Sequence, residues 1–456
     1  MPPKPLANWD KALDLMQFLP MFGNFAFMIA AFVVALSVIV AIHEYGHYIV
    51  GRWCGIHADV FSLGFGPVVY SRVDQRGTKW QIAALPLGGY VKFMGDANAA
   101  SVGMDGTVSE ADERRTMLGA PLWARAATVA AGPIFNFVLA IAIFAGSIMY
   151  QGRSADPLTF GEMRPLPASF ASDLREGDVM VAIEGVLFND TERTVAISDL
   201  VPIQERLDYT VLRGGDEITI DGPYYFPAAV SSVSPRSAAD DADIKVNDVI
   251  TAIDGVPVFA FKQVQDIVLA ADGAALDFEI WREGETLTKT IAPRRVDLPK
   301  PEGGFETRWL VGITGTIFFE EKTVSVGPFE AVSLGAQGLW NTLTTSLSAM
   351  QHILIGQIST CNLSGPVGIA ETSGSMAEQG AQSFIWFIGA LSAAVGLMNL
   401  FPIPVLDGGH LVFYAYEAVT RRKPSDRAVQ VFMFLGLSLI LSLMTFTILN
   451  DIILCP

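Results

Sequence analysis

Long stretches without Asp, Glu, Lys or Arg dominate the hydrophobic pattern of this chain. Four of them are apolar and long enough to cross about 30 Å of hydrocarbon as helices that rise about 1.5 Å per residue. These stretches are Leu15–Ile42, Ala126–Tyr150, Ala381–Leu406 and Val429–Asn450. The pattern therefore predicts a polytopic α-helical membrane protein with four transmembrane helices.

A fifth uncharged stretch, residues 331–370, has a different character. It is rich in Ser, Thr, Gly, Gln and Asn, which favours a surface or interfacial helix followed by a loop. A fifth membrane span is the alternative interpretation of this stretch.

Basic residues concentrate in two of the connections between the predicted spans. The connection between spans one and two carries Arg52, Arg72, Arg76, Lys79, Lys92, Arg114 and Arg115, and the one between spans three and four carries Arg421, Arg422, Lys423 and Arg427. Because connections rich in Lys and Arg stay in the cytoplasm, both are predicted to be cytoplasmic. Both chain ends and residues 151–382 then lie on the other side of the membrane.

The composition of the 456-residue chain supports this organisation. The chain is 51% hydrophobic and 17% charged, which is too apolar for an ordinary soluble enzyme. Residues 151–382 hold 16 Lys and Arg against 33 Asp and Glu, so the net charge of −17 lies in that segment. This acidity argues against nucleic acid or anionic lipid head groups as its partners.

Residues 151–300 change to short β-rich runs and contain a repeat. The run LREGDVMVAIEGV from Leu174 is echoed by IKVNDVITAIDGV from Ile244, so that Asp178 corresponds to Asp248. Each copy resembles a PDZ domain of the bacterial protease type, although the first lacks a clear carboxylate-binding loop. Such domains offer a sheet edge to an extended peptide. Peptide binding and steric exclusion both stay open as their role.

This pattern divides the chain into five segments. The first half of a membrane core covers residues 15–150, and its second half covers residues 381–450. Between them we expect two PDZ-like α+β domains and a connecting segment with an amphipathic helix, at residues 158–223, 224–296 and 297–380.

The sequence His43-Glu44-Tyr45-Gly46-His47 matches the HExxH pattern at the predicted inner end of span one. Residues four apart share one face of a helix, so both imidazoles can reach one Zn²⁺ while Glu44 activates its water. Ionisable side chains at membrane depth are costly and usually functional. The motif therefore predicts a metal site.

A catalytic zinc normally has three protein ligands and one open position. The extended metzincin pattern needs Gly and His where this chain has Val50 and Trp53, which excludes that class. His57 and His352 lie outside the predicted spans and are interpreted as polar surface or capping residues.

The third ligand is expected at the end of span three. Spans one and three run in the same direction, so Asp407 reaches a depth similar to that of the HExxH motif. Pro402 and Pro404 end the helix before Asp407. Asp407 is the preferred third ligand, and His410 is the alternative.

Several motifs spread along the chain carry a family resemblance. They are HEYGH at His43, GFGP at Gly64, PLGGYVKF at Pro86, AGPIFNF at Ala131, SGPVGIA at Ser364 and NLFPIPVLDGGHL at Asn399. Together they resemble the bacterial site-2 protease family. The tandem PDZ-like domains resemble those of its regulator-of-sigma-E protease type.

The resemblance implies a set of site residues. His43, His47 and Asp407 would bind Zn²⁺, and Glu44 would be the general base. Residues 61–93 would form a membrane-associated β-hairpin that presents an edge strand to the substrate. The substrate-binding residues implied in this way are Gly64, Phe65, Gly66, Asn399, Pro402 and Pro404. The alternation of residues 68–72 and 79–84 around Gly77 predicts a hairpin independently.

The resemblance also implies a function. The protein would be an intramembrane zinc metalloendopeptidase of the bacterial inner membrane, with the PDZ-like domains and both termini in the periplasm and the active site near the cytoplasmic side. Its partners would be the lipid bilayer and single-pass membrane proteins, either an anti-sigma factor or signal-peptide remnants, and no nucleic acid. A metal-dependent scaffold and a metal transporter are the alternatives. Glu44 argues against both, because neither needs a carboxylate that does not bind the metal.

The three cysteines are Cys54, Cys361 and Cys455. The predicted topology places Cys361 and Cys455 outside and Cys54 inside the cell. One disulfide between Cys361 and Cys455 and two free thiols are both open at this stage.

Overall fold

The computed structural model describes residues 10–95, 112–188, 200–300 and 304–454. The chain forms two compact units. The first contains the described residues up to Gly146, Val332–Ser348 and the described residues from Thr360 onward, and the second contains Ser147–Ala331 and Ala349–Ser359.

The described α-helices are α1 (Asp10–Trp53), α2 (Leu122–Gln151), α3 (Ala238–Asp241), α4 (Phe261–Ala270), α5 (Pro328–Leu354), α6 (Pro366–Glu378), α7 (Ala381–Asn399), α8 (Asp407–Thr420) and α9 (Asp426–Leu449). Within the described residues, four helical stretches are long and apolar enough to span a membrane, namely Phe25–Trp53, Leu122–Gln151, Ala381–Asn399 and Arg427–Ile453. The prediction of four transmembrane helices is therefore confirmed.

Two helices differ in length from the uncharged stretches in which they lie. Helix α1 continues beyond Ile42 to Trp53, so the HExxH motif lies on this helix, as predicted. Its ionisable side chains pack against protein, which removes the penalty that lipid would impose. Helix α7 ends at Asn399 and not at Leu406, because the Pro402 and Pro404 region cannot continue a helix.

The uncharged stretch 331–370 contains the start of a second helix as well as the predicted one. Helix α5 is followed by a loop, and helix α6 begins at Pro366, where a loop was expected. Helix α5 is not among the span candidates of the described residues. Leu339 of α5 packs with Phe144 of α2, whereas Trp340 is exposed. One side of α5 therefore contributes to the core of the first unit.

The predicted hairpin is confirmed and is longer than the alternation of residues 68–84 indicated. Strands β1 (Ala58–Val73) and β2 (Lys79–Phe93) are both bent, and the central part of β1 has partners on two sides. Phe61, for example, pairs with Trp80 and with Val91. The rings of Phe61 and Trp80 pack against Tyr48 of α1. The hairpin is thus held on the helix that carries the HExxH motif.

The second unit contains small antiparallel sheets. Its strands are β3 (Arg153–Ser154), β4 (Phe160–Met163), β5 (Val179–Ile183), β6 (Val186–Leu187), β7 (Arg206–Arg213), β8 (Asp216–Pro223), β9 (Val230–Val233), β10 (Val249–Ile253), β11 (Val256–Pro257), β12 (Leu276–Arg282), β13 (Glu285–Ile291), β14 (Arg294–Pro299), β15 (Phe305–Leu310), β16 (Ile313–Gly315), β17 (Phe319–Glu321) and β18 (Thr323–Val324). Two four-stranded sheets have matching strand orders, β6-β5-β7-β8 and β11-β10-β12-β13. The sequence repeat is therefore a repeat of structure.

An ion pair between a buried Asp and a partly exposed Arg recurs in both copies. The guanidinium of Arg213 donates two hydrogen bonds to Asp178, and that of Arg282 donates two to Asp248, at 2.6–2.7 Å. Burial alone would raise the pKa of Asp178, but the hydrogen bonds from Arg213 and from the backbone amide of Arg175 hold this pKa below its ordinary value. In both copies the repeated Asp also accepts a hydrogen bond from a backbone amide three residues earlier, and so anchors the turn before each central strand.

Residues that follow the second copy supply strands to both copies. Strand β16 pairs with β9, which belongs to the second copy, whereas β17 pairs with β4 at the start of the first. The next strand, β18, pairs with β3. The first copy is therefore completed by chain that lies beyond the second in sequence. The predicted domain limits at residues 223 and 296 stay a prediction.

Candidate metal centre

Helix α1 and the start of helix α8 bring three potential ligands together. The Nε2 atoms of His43 and His47 lie 3.2 Å apart, one turn from each other on α1. Asp407 is the first residue of α8, and its Oδ2 lies 3.1 Å from Nε2 of His43 and 3.5 Å from Nε2 of His47. The three side chains are only slightly exposed.

These three atoms fit a zinc ion. Ligand atoms at about 2.0–2.1 Å from a tetrahedral zinc lie about 3.3 Å from one another, which matches the distances of 3.1–3.5 Å between the atoms here. Oδ2 of Asp407 is buried and faces the Nε2 atoms of both imidazoles. A buried carboxylate is costly unless a cation or hydrogen bonds compensate its charge. The donor set of two imidazoles and one carboxylate is also one that Zn²⁺ uses.

Helix α2 contacts both histidine rings from behind. Nδ1 of His47 donates a hydrogen bond to the carbonyl oxygen of Thr128 at 2.9 Å, which leaves the lone pair of Nε2 for a metal. Nδ1 of His43 lies 3.1 Å from the side-chain amide of Asn136, whose Oδ1 is buried without a partner. If the two amide atoms exchange places, His43 donates to Oδ1 and also presents Nε2 to the metal.

Two glycines make room for this arrangement. A Cβ atom at Gly132 of α2 would lie 2.3 Å from Nε2 of His47 and 2.8 Å from Cε1 of His43. A Cβ atom at Gly46, inside the HExxH motif, would lie 2.6 Å from the carbonyl oxygen of Ala131. Helices α1 and α2 can therefore approach closely only because both positions lack a side chain.

Glu44 lies beside the ligand group and next to strand β2. Its carboxylate accepts a hydrogen bond from the backbone amide of Val91. A Cβ atom at Gly89 would lie 3.1 Å from Cγ of Glu44, so this strand passes directly along the side chain. The group of converging ligand atoms contains Asp407 and neither Glu44 nor His410. Glu44 is thus placed for a role other than metal binding.

The residues expected to bind substrate have varied surroundings. Asn399 ends α7 and donates a hydrogen bond to the carbonyl oxygen of Val395 in its own helix. Pro402 and Pro404 lie in the connection to α8. Gly64, Phe65 and Gly66 form a bend of β1, and the ring of Phe65 stacks on Tyr90 of β2 at 6.0 Å. Their part in substrate binding stays a prediction.

His57 and His352 lie outside the ligand group. Nε2 of His57 is 3.7 Å from a carboxylate oxygen of Asp59, and the ring of His352 packs on Phe305 at 4.9 Å.

The Ser364-Gly365-Pro366 motif forms the start of helix α6. Asp451 is buried, and its two carboxylate oxygens accept hydrogen bonds from the amides of Gly365 and Gly368 at 3.1 and 3.0 Å. The carboxylate of Asp451 thus caps this helix.

Of the cysteines, Cys361 is disulfide-bonded, whereas Cys54 is free. Cys455 lies outside the described residues, so the predicted pairing of Cys361 with Cys455 stays a prediction.

Sequence reasoning missed the residues of α2 that support the ligands. Thr128, Gly132 and Asn136 recur at helical spacing and face α1. The AGPIFNF motif contains two of them, but a motif alone does not say which side chain its residues contact. The available signal was that Thr128, Gly132 and Asn136 are spaced four residues apart, as His43 and His47 are.

A HExxH motif on a helix of membrane-spanning length, together with an aspartate that converges on its two histidines, defines a membrane-embedded zinc metalloprotease. The sequence profile of Peptidase family M50 matches residues 31–443, and the chain belongs to that family.

Full-length relatives agree with this assignment. A protein of Rhizobium meliloti (strain 1021), named as a candidate zinc metalloprotease, is 34% identical over 434 residues, which cover 94% of this chain and 97% of the relative. A similarly named protein of Agrobacterium fabrum is 35% identical over 429 residues, or 93% of this chain and 95% of the relative. The Regulator of sigma E protease of Salmonella typhimurium (strain LT2) is 30% identical over 453 residues, or 93% and 98%.

The predicted enzyme class, cofactor and family are therefore confirmed. The protein is an intramembrane zinc metalloprotease with multiple candidate spans, and its substrates are membrane proteins. The scaffold and transporter alternatives are set aside by the family membership.

Proposed function

We propose that the protein cleaves the transmembrane segments of single-pass membrane proteins, with His43, His47 and Asp407 as the zinc ligands and Glu44 as the general base. The observation that carries this proposal is the convergence of the three ligand atoms at 3.1–3.5 Å beside a fourth, non-ligand carboxylate. Hydrolysis is the reaction that requires this combination.

The chain supplies the proton transfers. When bound, zinc would supply Lewis-acid chemistry for the attacking water and the peptide carbonyl. Glu44 would take up the proton released in the attack and deliver it to the leaving amine. The amide of Val91 holds the carboxylate of Glu44 and so keeps it directed beside the ligand group.

The edge of strand β2 is the proposed docking site for the substrate. Residues 89–92 pair with residues 60–63 of β1 on one side, and no described strand pairs with their other edge, where Glu44 lies. A helical substrate has its carbonyl groups locked in hydrogen bonds and must unwind before attack. Pairing of the unwound segment with β2 replaces these bonds.

The physiological substrate is proposed by analogy. The name of the Salmonella relative states that it regulates sigma E. An anti-sigma factor or a signal-peptide remnant, each with one membrane span, is the corresponding proposal for this chain.

The requirement for unwinding predicts a dependence on the substrate's helix stability. Replacing a central Gly-Pro pair of a cleaved substrate span by Leu-Leu should slow cleavage at least about tenfold, because Gly and Pro disfavour helix by roughly 1 and 3 kcal/mol relative to good helix formers. The rates would be measured with purified protease and substrate in proteoliposomes. The same Leu-Leu change in a soluble flanking segment is the control. Equal cleavage rates for the substrate with Gly-Pro and the substrate with Leu-Leu in its membrane span would contradict the proposed unwinding and strand pairing.

We further propose that the PDZ-like modules within residues 158–296 and both chain ends lie in the periplasm, with the metal centre near the cytoplasmic side of the inner membrane. The basic residues in the connections between spans one and two and between spans three and four support this orientation. A membrane-impermeant thiol reagent applied to spheroplasts should label cysteines introduced at the exposed positions Asp216 and Glu285. Cys54 should react only after the membrane is opened. Labelling of Cys54 in intact spheroplasts would reverse the orientation.

A further inference from the structure

A buried ion pair joins helix α2 to helix α8. The guanidinium of Arg125 donates from Nη1 to Oε2 of Glu417 at 3.0 Å and from Nη2 to Oε1 at 2.7 Å. The side chains are only 5% and 15% exposed. Nε of Arg125 donates to the carbonyl oxygen of Ala120, and the guanidinium lies 5.2 Å from the ring of Tyr414. Three separate contacts thus hold Arg125 in one orientation.

The pair acts on the helix that carries the third ligand. Asp407 begins α8, and Glu417 lies almost three turns farther along, or about 15 Å. Gly408 and Gly409 are buried at the start of α8. A Cβ atom at either position would overlap backbone carbonyl oxygens of residues 400–403, the connection that leads into the helix. The start of α8 is therefore held by this connection, and the charged pair holds its other end.

Helix α2 is the element that all three ligands share. It contacts His47 through the carbonyl of Thr128 and His43 through Asn136. It contacts Asp407 only indirectly, through Arg125 and Glu417. A bidentate pair fixes both distance and angle, so it sets the direction in which α8 points its first residue.

We propose that Arg125 and Glu417 are positioning residues for the third zinc ligand, which set Oδ2 of Asp407 against the two imidazoles by fixing α8 on α2. This inference rests on the proposed ligand assignment. Mutation of residues that orient metal ligands without binding the metal typically lowers metal affinity or activity by about 10- to 100-fold.

A purely stabilising ion pair is the competing explanation, and an apolar replacement separates the two. Removing one partner of a buried pair is strongly destabilising, whereas replacing both by apolar residues of similar volume is often neutral. The double variant Arg125→Met/Glu417→Leu should therefore keep the wild-type unfolding temperature. It loses the bidentate geometry, so its zinc affinity should fall about tenfold or more.

The affinity is measured by competition with a zinc chelator, on purified full-length protein in detergent, with thermal unfolding followed on the same samples. Arg125→Lys, which keeps the charge but not the two-pronged contact, should give a smaller loss of zinc affinity. The exposed pair of Arg153 and Glu330 provides the matched control, and its Met/Leu replacement should leave zinc affinity unchanged.

The outcomes are distinct. Wild-type zinc affinity in the folded Met/Leu variant of Arg125 and Glu417 overturns the positioning role. If that variant does not fold, wild-type affinity in Arg125→Lys overturns it instead. Asp407→Ala, measured in parallel, tests the ligand assignment itself. If Asp407→Ala keeps its zinc, the ligand assignment fails. If Asp407→Ala loses zinc but the double variant binds zinc like the wild type, only the positioning role is refuted.

Discussion

Glu44→Gln is expected to lower the rate of proteolysis by roughly 10²- to 10⁴-fold while zinc remains bound. Glutamine has nearly the same shape, and its amide oxygen can still accept the hydrogen bond that the amide of Val91 donates to Glu44. The three ligand side chains are untouched. The substitution therefore removes only the proton acceptor for the attacking water.

Cleavage of a single-span substrate in proteoliposomes and zinc content by elemental analysis measure the two effects separately. Glu378→Gln, which changes an exposed carboxylate of helix α6, is the control and should leave both unchanged. Retained proteolysis in Glu44→Gln would assign the base to another group. Loss of zinc from this variant would mean that Glu44 binds the metal.

Gly132→Ala is expected to lower zinc affinity by roughly 100-fold or more and to abolish activity with it. The added methyl group would lie 2.3 Å from Nε2 of His47 and 2.8 Å from Cε1 of His43. Both atoms belong to rigid rings, so at least one imidazole must leave its position. Alanine favours helix over glycine by about 1 kcal/mol, so α2 itself should not be weakened.

Gly146→Ala is the matched control, because it makes the same change on the same helix where no atom lies within 4 Å of the added group. It should bind zinc as the wild type does. Chelator competition gives both affinities, and circular dichroism verifies the helix content. Wild-type zinc affinity in Gly132→Ala would show that the histidine rings occupy a different position in the metal-bound protein.

The metal centre was only partly accessible from sequence. Helical periodicity alone places His43 and His47 on one face of a helix. This inference needs only the five consecutive residues of the HExxH motif. Asp407 required an argument from span direction, which left His410 open. The convergence of Asp407 with the two imidazoles at 3.1–3.5 Å comes from the packing of α8, a contact between residues far apart in the chain.

By itself the sequence determined the four apolar spans, the hairpin around Gly77, the duplicated β module and the HExxH motif. Each of these features appears as a pattern within a short stretch of sequence, or as a repetition of such a stretch. Hydrophobicity, turn residues or residue spacing is enough to recognise it. The acidic character of residues 151–382 is likewise a property of composition.

Only the tertiary structure decided how these pieces complete one another. It placed α2 and the hairpin against the part of α1 that carries the HExxH motif. It assigned strand β17 to the first module, although that strand follows the second module in sequence. It also brought Arg125 to Glu417 and Gly132 to the histidine rings. These contacts depend on the shape of distant surfaces after folding, and no local periodicity encodes which surfaces will meet.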